Sequence, residues 1–392
     1  MYFSFSDKSS LLLIFFFHGV VFSFLLFKKG FETENKSDYW LGTFSLLSVM
    51  YVAPFMLGYA GWYGRLPYRE ILFYVPFQQL LLLPPVLYFY FQRLFDKSFV
   101  FRTKDLLHFL PAFLYNCYIL LICLADKWVL DEVYFYANGQ DKDFDAWYQF
   151  LGFLSMVYYL LRSLMLYRKY TFLTFNALSF ADTMTFIWAK RFLWVFIALV
   201  GIRLVFFVIN PEWDEFGRKF WYYLTFSFLF YYITISGYLN SVRTKTSFSD
   251  WQVTDTNKSS EAQMDLADSK SQHEPLPDLD EWKARVVVLM VEGKMYENPE
   301  LTISDLAEKL GTHSKRISQA INQGFGLNFN DFVNKYRVEA LIKKLERGEY
   351  SMVTFLGLAL ECGFNSKSTF NRAFKRETGQ SPKEFIRNRF QN

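Results

Sequence analysis

Two short segments of the sequence carry basic and amide side chains at helical spacing. The first segment covers residues 313–323 and the second covers residues 366–376. Apolar residues one helical turn apart, which face inward in a helix, are Ile317 and Ile321 in the first segment and Phe370 and Phe374 in the second. The residues turned outward are Lys315, Arg316, Gln319 and Asn322 in the first and Lys367, Ser368, Asn371, Arg372 and Lys375 in the second. Side chains of these types can hydrogen-bond nucleic-acid bases and phosphates.

Each of these polar types suits a particular contact with double-stranded DNA. Arg and Lys donate paired hydrogen bonds to guanine, and Asn and Gln pair in a similar way with adenine. The predicted base-reading residues are Arg316, Gln319, Lys367, Asn371 and Arg372. The side chains expected to contact phosphates are Lys335, Lys375 and Arg376. The alternative interpretation is a solvated charged surface, which explains the charges but not the repeat that contains them.

The two segments belong to a weak internal repeat. The residues Leu306, Ala307, Leu310, Gly311, Ile317, Ile321 and Gly326 recur as Leu358, Ala359, Cys362, Gly363, Phe370, Phe374 and Gly379. Each copy has the pattern of a helix, a glycine turn and a second helix, which is typical of a helix-turn-helix unit, so we predict such units over about 300–326 and 353–380. Thr302 and Ser366 are the predicted helix caps. The amphipathic run between the copies, FNDFVNKYRVEALIKKLERGE, predicts a connecting helix.

This region resembles the DNA-binding domain of the AraC/XylS family of transcription regulators. The run GFNSKSTFNRAFKRETGQSP, from Gly363 to Pro382, is similar to that family's signature, although Cys362 stands where the family more often has a small or polar residue. The resemblance covers about a quarter of the chain. It implies that residues 313–323 and 366–376 enter successive major-groove segments of promoter DNA, and it makes RNA polymerase a possible partner. It implies no sugar or aromatic effector, because apolar helices replace the soluble barrel of many relatives.

The N-terminal part of the sequence is much more apolar. Of the 392 residues, 52% are hydrophobic, 21% are aromatic and 20% are charged, a charged fraction below that of ordinary soluble domains. A helix that crosses a bilayer needs about 20 apolar residues. Seven runs are long enough: 10–27, 39–60, 71–92, 106–125, 147–167, 192–210 and 220–240. So many runs in succession argue against a large soluble helical domain, and the first lacks the cleavage site of a signal peptide.

The sequence therefore predicts an all-α chain in three parts. These are a seven-helix transmembrane domain over 1–242 with its N-terminus outside, a polar, acidic and disordered linker over 243–280, and the double helix-turn-helix domain over 281–392. Lys and Arg are more frequent in the loops predicted to lie inside, whereas the outer loop over 126–145 is acidic. By the positive-inside rule, this asymmetry predicts a multi-pass protein of the bacterial cytoplasmic (inner) membrane, with the DNA-binding domain in the cytoplasm. Similar arrangements resemble membrane-bound regulators of Bacteroidetes-like bacteria.

Few residues outside the repeat suggest chemistry. Arg203 lies within the sixth apolar run, where a charge is costly, so we expect it to pair with a carboxylate or to bind an anionic ligand. Cys117, Cys123 and Cys362 are expected to be buried free thiols, and the four histidines are too far apart to suggest a metal site. No catalytic motif or cofactor-binding motif is recognisable, so we expect neither an enzyme nor a cofactor.

The predicted function is a one-component regulator that couples a membrane or periplasmic signal to promoter binding. A second copy of the chain is an expected partner, because two DNA-binding arms together bind better than one. Two alternatives stay open. One is a membrane transporter or enzyme with a regulatory DNA-binding tail, and the other is a membrane anchor that senses nothing.

Overall fold

The computed structural model describes residues 3–96, 99–130, 134–135, 145–184, 187–209, 216–239, 276–349 and 354–390. These residues form helices and contain no strand apart from one isolated bridge pair, which confirms the all-α prediction. The chain divides into two compact units. The N-terminal unit comprises Met1–Tyr167 and Phe186–Ser247, and the C-terminal unit comprises Arg168–Thr185 and Phe248–Asn392. The predicted domain boundaries did not anticipate that residues 168–185 group with the DNA-binding region.

The N-terminal unit contains most of the long helices. Through residue 239, the described α-helices are α1 (Asp7–Thr33), α2 (Lys36–Tyr59), α3 (Tyr68–Tyr74), α4 (Leu83–Phe95), α5 (Leu110–Leu124), α6 (Asp145–Ala177), α7 (Ala181–Met184), α8 (Ile187–Leu204) and α9 (Phe216–Leu239). Helices α1 and α2 pack closely through small residues. The Ser23 hydroxyl donates to the Gly42 carbonyl at 2.9 Å, and the Ser45 hydroxyl donates to the Gly19 carbonyl at 2.9 Å. Small residues and hydroxyl bonds of this kind are common between helices in lipid.

Within the described residues, five helical stretches are long and apolar enough to cross a bilayer, judged by length and composition. They are Asp7–Thr33, Lys36–Tyr59, Thr103–Leu130, Trp147–Ala177 and Trp188–Ile209. Five of the seven predicted runs fall on these stretches. Their insertion into a membrane stays a prediction.

The run over 71–92 does not form the single helix that its apolar length predicted. Helix α3 ends at Tyr74 and α4 begins at Leu83. Pro84 and Pro85 lie in the first turn of α4, where a backbone N–H has no helical partner, so they start a helix rather than bend one. The run over 220–240 falls on α9, a continuous helix that is not among the five apolar stretches.

Among its described residues, the C-terminal unit contains the end of α6, α7 and seven further α-helices. These are α10 (Leu279–Val291), α11 (Ile303–Lys309), α12 (Ser314–Phe325), α13 (Phe329–Glu346), α14 (Phe355–Glu361), α15 (Lys367–Thr378) and α16 (Pro382–Phe390). They surround two hydrophobic cores, and α13 supplies residues to both, with Phe332 and Val333 in the first and Val338 and Leu341 in the second. Helix α13 is therefore the connecting helix that the amphipathic run predicted. Of the predicted linker, residues 243–275 lie outside the described residues.

The cysteines are free, as predicted, but their burial differs from the expectation. Cys362 is buried, whereas Cys117 and Cys123 are only half-buried. In the described part of the chain, no group of three His, Cys, Asp or Glu side chains could hold a metal ion.

Candidate nucleic-acid interface

The first helix-turn-helix unit consists of α11, a glycine turn and α12. Thr302 caps α11, because its hydroxyl accepts from the Asp305 N–H at 3.3 Å while the Asp305 carboxylate accepts from the Thr302 N–H at 2.8 Å. This is the capping box that the sequence predicted. Gly311 has φ +63° in the turn. Ile317 and Ile321 are fully buried, so the opposite face of α12 points away from the core.

The predicted polar residues of α12 are not equally accessible. Lys315 and Arg316 are exposed, whereas Gln319 and Asn322 are half-buried. The Arg316 guanidinium lies over the ring of Trp282 on α10, at 5.4 Å from the ring centre. This cation–π contact holds the side chain of Arg316, a predicted base-reading residue, against α10.

The second helix-turn-helix unit consists of α14, the turn at Gly363 and α15. The Ser366 hydroxyl accepts from the Thr369 N–H at 3.1 Å, which confirms the predicted cap of α15. Phe370 and Phe374 are buried. The predicted DNA-contacting residues of α15 are all exposed: Lys367, Ser368, Asn371, Arg372, Lys375 and Arg376. Helix α15 therefore presents a continuous polar face, and Lys335 is exposed on α13.

The turn before α15 requires glycine. Gly363 has φ +89°, and a Cβ atom at this position would lie 2.2 Å from the Tyr296 carbonyl oxygen. Only glycine combines this left-handed backbone with so close an approach. The close contact fixes the second unit against the short 3₁₀ turn at Met295–Glu297.

A buried arginine hydrogen-bonds to the backbone of the 3₁₀ turn at Met295–Glu297 and of the residue after it. The sequence analysis did not identify this arginine. Arg337 on α13 is fully buried. Its Nε donates to the Tyr296 carbonyl at 2.8 Å, its Nη2 to the Asn298 carbonyl at 2.7 Å and its Nη1 to Asn334 Oδ1 at 3.1 Å. Burial lowers the pKa of Arg337 to about 9, so its guanidinium is still charged at neutral pH. The sequence did indicate that Arg337 is buried, since Arg337 shares a helix face with Val333 and Leu341.

Several predicted DNA contacts already have protein partners within the C-terminal unit. Arg376 forms an ion pair with Asp331 on α13, and Arg372 forms one with Asp182 on α7. The Asn322 amide donates to Asn176 Oδ1 at 3.4 Å. DNA contacts by Arg372 and Asn322 would therefore replace contacts to residues 176–182.

The N-terminal unit has its own polar centre at Arg203, which is 1% exposed. The guanidinium donates to the Tyr51 hydroxyl at 2.7 Å and to Gln149 Oε1 at 2.6 Å. Its Nε has no hydrogen-bond partner among the described residues, and no described carboxylate lies within ion-pair distance. Gln149 also lines a cavity of about 190 Å³ whose wall includes Gln78, Lys219 and several tyrosines.

Comparison with known proteins agrees with the geometry of the C-terminal unit. A family described as "Helix-turn-helix domain" matches residues 306–388. An uncharacterized HTH-type transcriptional regulator of Staphylococcus aureus strain COL is 30% identical over 92 residues, which are 24% of this chain and 12% of that protein. The probable transcription factor PqrA of Proteus vulgaris is 31% identical over 103 residues, which are 26% of this chain and 81% of that protein. No solved structure gives a significant match.

The chain thus spans only 12% of the length of the Staphylococcus aureus relatives, but most of the length of the Proteus vulgaris protein. The family match covers both recognition helices and the helix that connects them. Together with the two capped helix-turn-helix units, these likenesses show that the chain belongs to the AraC-type family of helix-turn-helix transcriptional regulators.

Proposed function

We propose that this chain is a one-component transcription regulator that is embedded in the bacterial inner membrane. In this proposal, the C-terminal unit binds promoter DNA with α12 and α15, and the N-terminal unit receives a signal at the membrane or from the periplasm. The observation that carries the proposal is the presence in one chain of two helix-turn-helix units, the second with an exposed polar face on α15, and several long, apolar helices.

The recognition faces support sequence-specific binding. The exposed residues of α15 include amide, hydroxyl and basic groups, which combine base readout with phosphate contact. Lys375 and Lys335 are suited to phosphates, whereas Asn371 and Lys367 are suited to base edges.

The surface of the apolar helices supports membrane insertion. Large apolar side chains are exposed along α1, α5 and α8, for example Phe24, Leu121 and Trp194. Soluble proteins rarely expose many large apolar side chains along several helices, because water disfavours large apolar patches. Lipid tails would cover these side chains, and the excess of Lys and Arg in the loops predicted to lie inside favours a cytoplasmic location of the DNA-binding unit.

The experiment uses the full chain, expressed in bacteria and reconstituted in lipid nanodiscs. We expect it to sediment with membranes after an alkaline wash, and we expect protease added to intact spheroplasts to leave the C-terminal unit uncut. The nanodisc protein should enrich a defined sequence from random duplex DNA, with an affinity that falls steeply with salt concentration. Recovery in the soluble fraction, or no enrichment of any sequence at low salt, would contradict the proposal.

Arg203 is the proposed centre of signal binding in the N-terminal unit. A buried guanidinium without a described carboxylate partner favours an anionic ligand, and the nearby cavity at Gln149 and Lys219 has room for a small one. Homodimerisation and contact with RNA polymerase remain predicted features of the regulator. A transporter with a DNA-binding tail is the alternative, and uptake assays in vesicles distinguish the two.

A further inference from the structure

Residues 175–182 form a short segment that packs within the C-terminal unit, and we call it the docking segment. It begins in the last turn of α6 and ends in α7. Leu178, Ser179, Phe180 and Ala181 are all buried. The segment lies far from the helix-turn-helix units in sequence, yet it belongs to the same compact unit.

The backbone of the docking segment is paired with the first helix-turn-helix unit. The Ser179 N–H donates to the Leu301 carbonyl at 3.1 Å, and Leu178 forms an isolated antiparallel bridge with Thr302. The Leu178 carbonyl accepts from the Asn330 amide on α13 at 3.3 Å. Addition of an extended peptide to free backbone groups is a common mode of peptide recognition.

Buried polar side chains complete this binding site. Arg337, which has no exposed surface, donates from Nη1 to the Ser179 carbonyl at 3.2 Å and from Nη2 to the Ser179 hydroxyl at 3.0 Å. Asn334 donates to Asn330 Oδ1 at 3.1 Å and so orients the amide that holds Leu178. Fully satisfied buried polar groups specify one arrangement, because each lost partner is costly.

The docking segment also contacts a predicted DNA-binding residue in each helix-turn-helix unit. Asp182 forms an ion pair with Arg372 on α15, and the Arg372 guanidinium lies 5.8 Å from the centre of the Phe175 ring. Asn176 accepts from Asn322 on α12. A carboxylate accepts hydrogen bonds from the same pair of guanidinium N–H groups that would donate to guanine or to a phosphate.

We infer that the docking segment is an internal competitor of DNA, with Asp182 occupying Arg372 in place of a base or phosphate. This inference rests on the proposed function, since it concerns the same DNA-binding face. The unit binds DNA fully only when Asp182 and Asn176 leave Arg372 and Asn322. Because the segment is covalently attached, its effective concentration is high and it competes without a second molecule.

The docking segment also offers a route from the membrane to DNA. It continues directly from α6, whose stretch from Trp147 to Ala177 is one of the five apolar helical stretches. A signal that shifts or rotates α6 would change how the docking segment packs against the helix-turn-helix units. The signal then alters the affinity for DNA because it favours either the docked or the released state of the segment.

The test compares DNA affinity among full-length variants in nanodiscs, using a duplex selected with the wild-type protein and fluorescence anisotropy. Asp182→Asn keeps the shape of the side chain but removes its charge, and we expect DNA binding on the order of tenfold tighter. Ser179→Pro removes both the N–H donor to Leu301 and the hydroxyl that accepts from Arg337, so it weakens the docked state and should also tighten binding. Glu292→Gln is the matched control, because it removes an exposed carboxylate at the end of α10, and its affinity should equal that of the wild type.

Hydrogen exchange of the same proteins gives a second readout. The backbone N–H of Ser179 should exchange slowly in the free wild-type protein and faster when DNA is bound. Unchanged affinity in Asp182→Asn and Ser179→Pro, with the Ser179 amide still protected in the DNA complex, would overturn the docking segment as a competitor and leave the DNA-binding function intact. Failure of every variant to bind DNA would overturn both proposals.

Discussion

Replacement of Arg337 by Met should destabilise the C-terminal unit strongly. The guanidinium donates to three backbone carbonyls, those of Ser179, Tyr296 and Asn298, as well as to two side chains. Met has a similar volume but no donor, so these acceptors would stay buried without a hydrogen bond or would draw water into the core.

The size of the effect follows from the burial of Arg337. Removal of one member of a buried charged network typically costs about 3–5 kcal/mol, because the remaining polar groups lose their partner. A domain of ordinary stability has only about 5–15 kcal/mol in total. Lys in place of Arg337 keeps the charge but places all its donors on one atom, which cannot reach acceptors that now bind three different nitrogens. We therefore expect Arg337→Lys to lose most of the same free energy.

Hydrogen exchange measured by mass spectrometry on the full chain in nanodiscs is a suitable assay, because it reports the opening of α13 separately from the N-terminal unit. A loss of about 3 kcal/mol should speed exchange of the protected α13 amides roughly a hundredfold. Lys335→Met is the matched control, since Lys335 is exposed two residues away and its loss should leave exchange unchanged. If Arg337→Lys exchanged like the wild type, charge rather than the forked geometry would matter, and the reasoning would be wrong.

Further predictions concern the two proposed sites and the glycine turn of the second helix-turn-helix unit. Asn371→Ala should relax base preference at one position and cost about 1–3 kcal/mol on the selected duplex, whereas Lys375→Ala should weaken binding to all duplexes and reduce the salt slope by about one; competition assays at several salt concentrations distinguish the two. Gly363→Ala should destabilise the second helix-turn-helix unit by more than about 1 kcal/mol, because of its positive φ and the nearby Tyr296 carbonyl, and faster exchange in α15 would show it. Arg203→Gln should abolish the response of a promoter reporter to the signal while leaving DNA binding by the protein intact; an unchanged response would exclude Arg203 from signal binding.

Much of the DNA-binding face could be predicted because it depends on local patterns. The inward pairs Ile317 with Ile321 and Phe370 with Phe374 fix which side of each recognition helix is buried, and the structure buries all four. Caps are equally local, since a Thr or Ser before a helix needs only residues within the next turn. The base-reading and phosphate-contacting roles of the exposed residues are still predictions.

The N-terminal unit was harder to predict in detail, because apolar composition does not show where a helix is interrupted. The run over 71–92 has no charged residue and looks continuous, yet the backbone leaves the helix after Tyr74 and resumes at Leu83. Proline is compatible with both a kink and a helix start, and neighbouring helices decide between them. Hydropathy therefore locates apolar segments better than it locates helix ends.

The docking segment could not have been predicted from sequence, for a physical reason. Its partners, among them Leu301, Arg337 and Arg372, are more than a hundred residues away, and no periodicity links such distant positions. Only Arg337 was visible in the sequence, as a charged residue on the apolar face of a helix. The sequence could not show which groups accept its hydrogen bonds. A buried charge on such a face implies acceptors from elsewhere in the fold, because an unpaired one would be too costly. In this chain some of those acceptors belong to the docking segment that follows α6, so the stability of the C-terminal unit depends on residues more than a hundred positions earlier in the sequence.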